Sequence, residues 1–119
     1  MSDIKDPAAE VAKKKNIGGY DRHFLICTGD KCVSAERGFE VWNYLKMRIK
    51  EEGLEPTNFR SKVGCLRICN HGPIAVVYPE GTWYKLVDES AVDAIIESHL
   101  KNGNEVESLK IASNPLSIN

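Results

Sequence analysis

The sequence predicts an α/β domain built from a β-α-β unit, a β-hairpin and a C-terminal helix. Two amphipathic helical patterns, at residues 34–52 and 88–101, are flanked by short apolar or alternating segments that are typical of strands. Two strand-like segments precede the second helical pattern directly, which indicates a hairpin followed by a helix. A length of 119 residues favours one domain with one hydrophobic core.

The first strand and the first helix are predicted from residues 22–53. Arg22–Ile26 is a short apolar run that ends at Cys27, as expected of a buried strand. Ser34 is a good N-cap for the helix that follows, and Gly53 ends that helix in the C′ position. One broad face of the helix is apolar and carries Ala35, Val41, Trp42, Leu45 and Ile49.

The remaining strands lie between residues 58 and 87. Asn58–Val63 alternates in polarity and predicts a strand with one solvated face. With the first strand and helix it forms a β-α-β unit, whose strands are parallel by default. Ile74–Tyr78 is a continuous apolar run, and Thr82–Val87 returns as its antiparallel partner after a Pro-Glu-Gly turn.

The last helix is capped by Asp88 or Ser90, and its apolar stripe consists of Val92, Ile95, Ile96, His99 and Leu100. We predict a domain over residues 20–111, an N-terminal extension over 1–19 and a C-terminal tail over 112–119. Glycines interrupt any helical turns near Pro7–Lys15, so a mobile tail is expected there. Residues 104–119 are sufficient for a short strand or a packed tail. The element order is that of a thioredoxin-like domain.

Composition excludes some functional classes. The formal net charge is −1, which argues against nucleic acid as an obligatory partner. No apolar run approaches the roughly 18–20 residues that span a bilayer, and no secretory signal is evident, so a soluble cytoplasmic protein is expected. Four cysteines in a reducing compartment suggest metal or redox chemistry more than structural disulfides.

The four cysteines form two pairs, with C-x4-C spacing at Cys27 and Cys32 and C-x3-C spacing at Cys65 and Cys69. Cys27 and Cys65 each lie at the C-terminal end of a predicted strand. If those strands are parallel neighbours, both pairs meet at one edge of the sheet, where open α/β sheets usually bind ligands. We therefore expect one site made from all four thiols.

Spacing leaves three chemistries open for that site. Zinc favours four thiolates, but its usual knuckle is the tighter C-x2-C. A thioredoxin-type disulfide needs C-x-x-C at a helix N-terminus, which Cys27 and Cys32 lack. Wider gaps suit ligands that are spread over the two irons of a cluster. His71 suggests a Rieske-like site, but such a site needs two histidines, so we predict that His71 is not a ligand.

Residues 64–87, GCLRICNHGPIAVVYPEGTWYKLV, followed by a helix that ends SHLKNG, resemble the thioredoxin-like [2Fe-2S] ferredoxins. The resemblance runs from about His23 to Ile111, and the C-x3-C pair before Gly-Pro and an apolar strand is its specific motif. It implies that the four cysteines ligate one [2Fe-2S] cluster near the surface. It further implies a one-electron carrier rather than an enzyme, with redox proteins as partners.

The C-x4-C spacing is closer to the homologous small [2Fe-2S] subunit in the NADH-oxidising arm of respiratory complex I, which leaves the electron donor and acceptor unidentified. A homodimer is also implied by the family. It agrees with the prediction of only two long helices, because one face of the sheet would then lack a cover.

An anionic cluster needs hydrogen-bond donors. We expect the flanking glycines Gly29, Gly64 and Gly72 to let the backbone approach sulfur, and the positive end of the first helix to point at the site. Lys31 and Arg67 lie inside the ligand loops, where they would add positive charge, steer an acidic partner or simply be solvated.

Overall fold

The structure is a computed structural model that describes residues 6–28, 35–68, 73–85 and 87–116. It confirms the predicted α/β class and element order, and it adds one helix and one strand. The elements in chain order are α1 (Pro7–Lys14), β1 (Arg22–Cys27), α2 (Ala35–Glu51), β2 (Asn58–Val63), β3 (Ala75–Tyr78), β4 (Thr82–Tyr84), α3 (Glu89–Ile95), which continues as the π-helical turn Ile96–Leu100, and β5 (Lys110–Ser113).

The five strands form one sheet in the order β2-β1-β3-β4-β5. The predicted parallel pairing of β1 with β2 is confirmed, with Arg22 opposite Asn58 and Cys27 opposite Val63. All other neighbouring strands are antiparallel. The parallel ladder extends past the end of β1, where the Thr28 N–H donates to the Val63 carbonyl at 2.8 Å.

Both long helices pack on the same face of the sheet. Strand residues that alternate toward this face meet the apolar stripes of α2 and α3 in one core, which includes Phe24, Ile26, Val77, Tyr84, Val41, Leu45, Ile49, Val92, Ile95 and Ile96. The predicted stripe of the last helix is confirmed, since all five of its residues are buried. Trp42, which the sequence analysis placed in the core, is only partly buried at the core's border.

The helix ends follow the predicted capping chemistry where the structure describes them. The Asp88 carboxylate accepts a hydrogen bond from the Ala91 N–H at 2.8 Å, so Asp88 is the N-cap of α3. Gly53 has φ +68°, the left-handed conformation of a C′ glycine. Ser34, the predicted N-cap of α2, lies outside the described residues. None of the helices in the described ranges has the length and apolar character needed to cross a bilayer.

The N-terminal extension is helical, where the sequence analysis expected a mobile tail. The Asp6 carboxylate caps α1 by accepting a hydrogen bond from the Ala8 N–H at 2.9 Å, and Pro7 occupies the first helical position. Asp6 and Pro7 favour the start of a helix, and the helix forms although glycines follow it. No residue of α1 is buried, so the helix itself adds nothing to the core.

The C-terminal segment forms β5, the short strand that the sequence allowed for residues 104–119. It pairs with β4, and Asn114 then donates its N–H to the Gly81 carbonyl at 2.8 Å. Gly81 has φ +67°, and a Cβ there would lie 1.9 Å from the Asn114 carbonyl oxygen. The hairpin turn therefore requires glycine both for its backbone and for contact with this segment.

The face of the sheet opposite the helices is only partly covered, as the sequence analysis anticipated. At one end Tyr20 stacks on Phe59 at 5.3 Å between ring centroids, and His23 contacts both rings edge-on. At the other end, residues 64–68 lie against the sheet. Leu25 and Tyr78, between these two coverings, remain partly exposed.

A buried polar network links the hairpin to the last helix. The Val106 N–H donates to the Tyr84 hydroxyl at 3.1 Å, and that hydroxyl lies 2.8 Å from Nδ1 of His99. Because the Tyr84 oxygen accepts the N–H of Val106, its hydroxyl hydrogen is directed to Nδ1 of His99. Nε2–H of His99 then donates to the Glu80 carboxylate at 3.3 Å, and Arg22 pairs with Glu80 at 3.0 Å. His99, which belongs to the predicted apolar stripe of this helix, is fully buried and both of its ring nitrogens have hydrogen-bond partners.

This network makes stability depend on pH. Burial lowers the pKa of His99 from its ordinary value of 6.5, although the nearby Glu80 opposes that shift. The unfolded chain therefore binds a proton more readily than the folded chain just below pH 6.5, so stability decreases as pH falls through this range. We expect the melting temperature to be lower at pH 5.5 than at pH 7.5.

The variant His99→Gln tests the assignment by scanning calorimetry at a fixed scan rate. At pH 7.5 it should lose about 1–3 kcal/mol, because Tyr84 or Glu80 loses a partner in a buried site. Between pH 7.5 and 5.5 its melting temperature should fall less than that of the wild type. A variant that loses as much as the wild type over this interval would show that His99 is not the group responsible. His23→Gln is measured in parallel to separate the contribution of His23, because burial also lowers the pKa of His23.

Candidate metal centre

The parallel pairing of β1 and β2 places two of the predicted ligands at one edge of the sheet. Cys27 is the last residue of β1 and lies opposite Val63. Cys65 follows Val63 by two residues, at the start of the loop after β2. Cys32 and Cys69 lie outside the described residues, as do Gly29, Lys31, His71 and Gly72. The four-thiolate set therefore stays a prediction.

The two described thiols are both free but occupy different environments. Cys27 is fully buried, and its N–H donates to the Ile74 carbonyl at 2.9 Å. Because side chains alternate along a strand, Cys27 points away from the helix-covered face that Ile26 contacts. Cys65 is exposed. A group bound between them would have one buried side and one side open to solvent.

The loop after β2 is fixed by two apolar side chains. Leu66 and Ile68 are half-buried and pack, together with Trp83, against a small cluster formed by Cys27 and Ile74. This packing excludes water from the Cys27 side of the site. It also holds Cys65, which directly precedes Leu66, in a fixed place over the sheet edge.

Arg67 lies between these two anchors in an unusual conformation. Its φ is +74°, in the left-handed region that non-glycine residues rarely adopt, and its side chain is exposed. In this conformation the Arg67 N–H donates a hydrogen bond to Sγ of Cys65 at 3.2 Å. Hydrogen bonds of this kind, from the protein to a ligand atom, orient and tune the ligands of metal sites.

The role that the sequence analysis gave to Gly64 stays a prediction, because Cys32 and Cys69 lie outside the described residues. A Cβ at Gly64 would meet no heavy atom within 4 Å, and its φ is not in the left-handed region. Among the described residues, Arg67, three residues later, brings its backbone N–H to a cysteine sulfur. The sequence carried no signal for this conformation, because glycine or asparagine usually marks it. The apolar residues Leu66 and Ile68, two positions apart, do indicate from the sequence that one side of this loop packs against the protein.

The chemistry of the described residues fits a site for thiolate-bound metal. Within the described ranges, no group of three or more histidine, cysteine or acidic residues lies close enough to hold a metal ion. Cys27 and Cys65 must therefore be joined by further ligands to complete a site. The arrangement also lacks the C-x-x-C spacing of a redox disulfide.

Several known proteins are similar to this chain in sequence and in fold, although no family model matches it. A protein named "Ferredoxin, 2Fe-2S" from Clostridium pasteurianum is 36% identical over 97 residues, which cover 75% of this chain and 94% of that protein. Another of the same name, from Aquifex aeolicus, is 36% identical over 99 residues, which cover 76% and 89% respectively. A solved thioredoxin-like [2Fe-2S] ferredoxin from Aquifex aeolicus superposes with a TM-score of 0.73 at 31% identity, over 83% of this chain and 99% of that one.

The chain belongs to the thioredoxin-like [2Fe-2S] ferredoxin family.

Membership in this ferredoxin family confirms the resemblance stated from residues 64–87 and the thioredoxin-like fold. The ferredoxin from Clostridium pasteurianum matches three quarters of this chain. About a quarter of the chain thus lies outside that match.

Substitutions at Arg67 test the left-handed turn. Glycine adopts positive φ without strain, so Arg67→Gly should change the free energy of unfolding by less than about 1 kcal/mol. Valine is β-branched and strained there, so Arg67→Val should be about 2 kcal/mol less stable than Arg67→Gly. Thermal unfolding of both variants under identical conditions measures the difference. Equal stability of the two variants would contradict the conformation.

Proposed function

We propose that this chain carries one electron at a time on a [2Fe-2S] cluster held by the thiolates of Cys27, Cys32, Cys65 and Cys69. The observation that carries this proposal is the β1–β2 register, which places Cys27 and Cys65 at one sheet edge. Family membership supports the cofactor and the role. The ferredoxins named above match most of their own length to this chain, so the proposal concerns the whole domain.

When bound, such a cluster supplies a reversible one-electron Fe(III)/Fe(II) step at a low potential that protein hydrogen bonds and exposure adjust. The chain's own residues provide the environment. Leu66 and Ile68 keep water from the Cys27 side, and the Arg67 N–H directs a partial positive charge at Sγ of Cys65. A hydrogen bond to a ligand sulfur stabilises added negative charge, so Arg67 would favour the reduced state.

The exposed side of the site indicates where redox partners would bind. Cys65 and the Arg67 side chain are exposed, whereas Cys27 is fully buried. We propose that electrons enter and leave through the loop at residues 64–68, and that Arg67 favours an acidic partner surface. The chain would act as an electron carrier rather than as an enzyme.

Anaerobic purification tests the cofactor. The protein should be red-brown, contain two irons and two sulfides per chain, and bleach on addition of dithionite. Colourless protein with stoichiometric zinc would instead establish a zinc site. A reversible disulfide between Cys27 and Cys32, in protein without iron, would establish a thiol–disulfide oxidoreductase. Either result would overturn the proposal.

Single substitutions then test the ligands. Serine at any of Cys27, Cys32, Cys65 or Cys69 should reduce iron content or shift the visible and EPR spectra, since an alkoxide is a harder ligand than a thiolate. His71→Ala is the matched control and should retain two irons per chain with unchanged spectra. Loss of iron in the His71 variant would contradict the assignment. So would an unchanged spectrum in a cysteine variant.

We also propose that the chain forms a homodimer through the sheet face opposite the helices. Leu25 and Tyr78 lie partly exposed on that face, between the aromatic group at Tyr20 and the loop at residues 64–68. A second copy would cover these side chains. Among the described residues, neither terminal element does so, because α1 has no buried residue and β5 lies beside β4 at the sheet edge.

Sedimentation equilibrium at micromolar concentration tests the dimer. The wild-type protein should show about twice its chain mass of 13.3 kDa. Leu25→Lys should shift the protein to the monomer, because a charge buried in an interface is costly. Met47→Lys is the matched control, since Met47 is exposed on α2 away from this face. A clean wild-type monomer would overturn the proposal.

We also propose that the domain covers residues 20–111, with an N-terminal extension over 1–19 and a C-terminal tail over 112–119 whose first two residues complete β5. A cytoplasmic location is also proposed, because thiolate ligands require a compartment in which cysteines remain reduced. Both described cysteines are free thiols, in agreement with that requirement.

A further inference from the structure

An exposed aromatic ring lies among cations where α2 packs beside the outer strand β2. We call this the α2–β2 edge surface, and its residues are Phe39, Trp42, Lys46, Arg60 and Lys62. The Phe39 side chain is 55% exposed, and of the aromatic residues in the described ranges it alone is exposed. A single exposed apolar residue is common, so the surroundings of Phe39 decide its meaning.

Two cations of this surface are held against aromatic rings. Nζ of Lys62 lies 5.2 Å from the centroid of the Phe39 ring and 6.0 Å from that of Trp42. The Arg60 guanidinium lies 5.6 Å from the centroid of the Trp42 ring. Attraction to the rings keeps both cations in place. Because these long side chains are already positioned, a partner that binds them loses less conformational entropy.

The cations of this surface have no acidic partner within the domain as described. Lys46 is exposed and lies one turn after Trp42 on the same side of α2. Across the described ranges, neither Lys46 nor Arg60 nor Lys62 takes part in a salt bridge. Their charges are therefore available to an external molecule.

The side of α2 that packs toward α3 has the opposite character. Both of its arginines, Arg37 and Arg48, form salt bridges. The acidic residues that they contact are Glu40, Glu51, Glu52, Glu89, Asp93 and Glu97. The helix thus has its cations neutralised on one side and left without salt bridges on the side beside β2.

Two acidic residues border the α2–β2 edge surface. Glu36 precedes Phe39 by one turn of α2 and is exposed. Glu55 lies at the far end of the surface, where Lys14 and Lys15 offset its charge. These carboxylates reduce the positive surplus but do not remove it.

The α2–β2 edge surface begins beside the proposed metal centre. Lys62 is the last residue but one of β2, and Cys65 follows it by three residues. At about 3.3 Å per residue, their Cα atoms are at most about 10 Å apart. A protein interface of ordinary size covers about 800 Å² on each partner. A protein that covers the exposed Cys65 would therefore also reach Lys62 and Phe39.

We propose that the α2–β2 edge surface docks the electron-transfer partner, a protein that presents carboxylates around an apolar side chain. This inference rests on the proposed function. Carboxylates of the partner pair with Lys46, Arg60 and Lys62, and its apolar side chain covers Phe39, in an interface with an apolar centre and a polar rim. In each encounter the partner's redox centre is reduced by one electron as the ferredoxin is oxidised by one.

Two redox proteins of opposite surface charge serve as probes, the acidic flavodoxin and the basic cytochrome c. Cluster-loaded protein is reduced with dithionite, freed of the excess, and mixed with either oxidised probe in a stopped-flow spectrometer. One flavin or one haem gains the electron that one ferredoxin loses. With flavodoxin, we expect the second-order rate constant to fall as the ionic strength rises from about 0.02 M to about 0.2 M, because salt screens the attraction.

Reversal of one charge tests the surface. At low ionic strength, Lys62→Glu should lower the rate constant with flavodoxin by about ten-fold and raise it with cytochrome c, because the new charge repels one probe and attracts the other. Lys13→Glu is the matched control. Lys13 is exposed on α1, beyond the start of β2 and more than about 13 Å from Lys62, so its reversal should change either rate constant by less than about two-fold.

Binding without electron transfer tests the apolar centre. Isothermal titration calorimetry of the oxidised ferredoxin with oxidised flavodoxin gives a Kd while no electron moves. Phe39→Ser should raise this Kd by about five-fold, because a large aromatic contact is lost. Ile111→Ser is the matched control, since Ile111 is also exposed but lies on β5, at the opposite edge of the sheet, and should change the Kd by less than about two-fold.

Iron content separates this inference from the proposed function. Protein without iron would contradict the proposed function, whereas all four variants should keep the wild-type iron content. In loaded protein, equal effects of Lys62→Glu and Lys13→Glu, or of Phe39→Ser and Ile111→Ser, would overturn the docking site. So would the absence of flavodoxin binding at low ionic strength. A poly-thymidine oligonucleotide that binds through Lys62 while flavodoxin does not would assign the surface to nucleic acid instead.

Discussion

The site depends on the parallel hydrogen-bonded pairing of β1 and β2. A parallel pair requires a crossover connection, and α2 provides it, so two strands distant in sequence end at the same edge. This register brings Cys27 and the start of the loop that carries Cys65 to one edge of the sheet. A slip of one residue would turn Cys27 toward the helix-covered face and away from the loop at residues 64–68. The core beneath α2 and α3 serves the site by fixing that register.

The two faces of the sheet are covered in different ways. Both helices cover one face and provide most of the buried apolar surface. The other face is covered in pieces, by the Tyr20–Phe59 stack at one end and by Leu66 and Ile68 at the other. The loop that carries Cys65 is therefore both a covering of the sheet and a wall of the site. A change in its packing would affect stability and sulfur environment together.

The sequence predicted the features that follow from periodicity and capping. β2 matches the predicted bounds of Asn58–Val63, and Asp88 caps α3 as expected. It did not predict Arg67, because a left-handed arginine is set by its neighbours' packing rather than by its own preference.

The pairing of β5 with β4 makes β5, rather than β4, the edge strand on that side of the sheet. With β5 attached, β4 has a neighbour on both sides, and its peptide groups are no longer open to another chain. The edges that remain are β5 itself, whose last three residues are exposed, and β2, which presents Arg60 and Lys62. Charged side chains of this kind discourage unwanted strand addition. The C-terminal segment thus closes the β4 edge to strand addition by another chain.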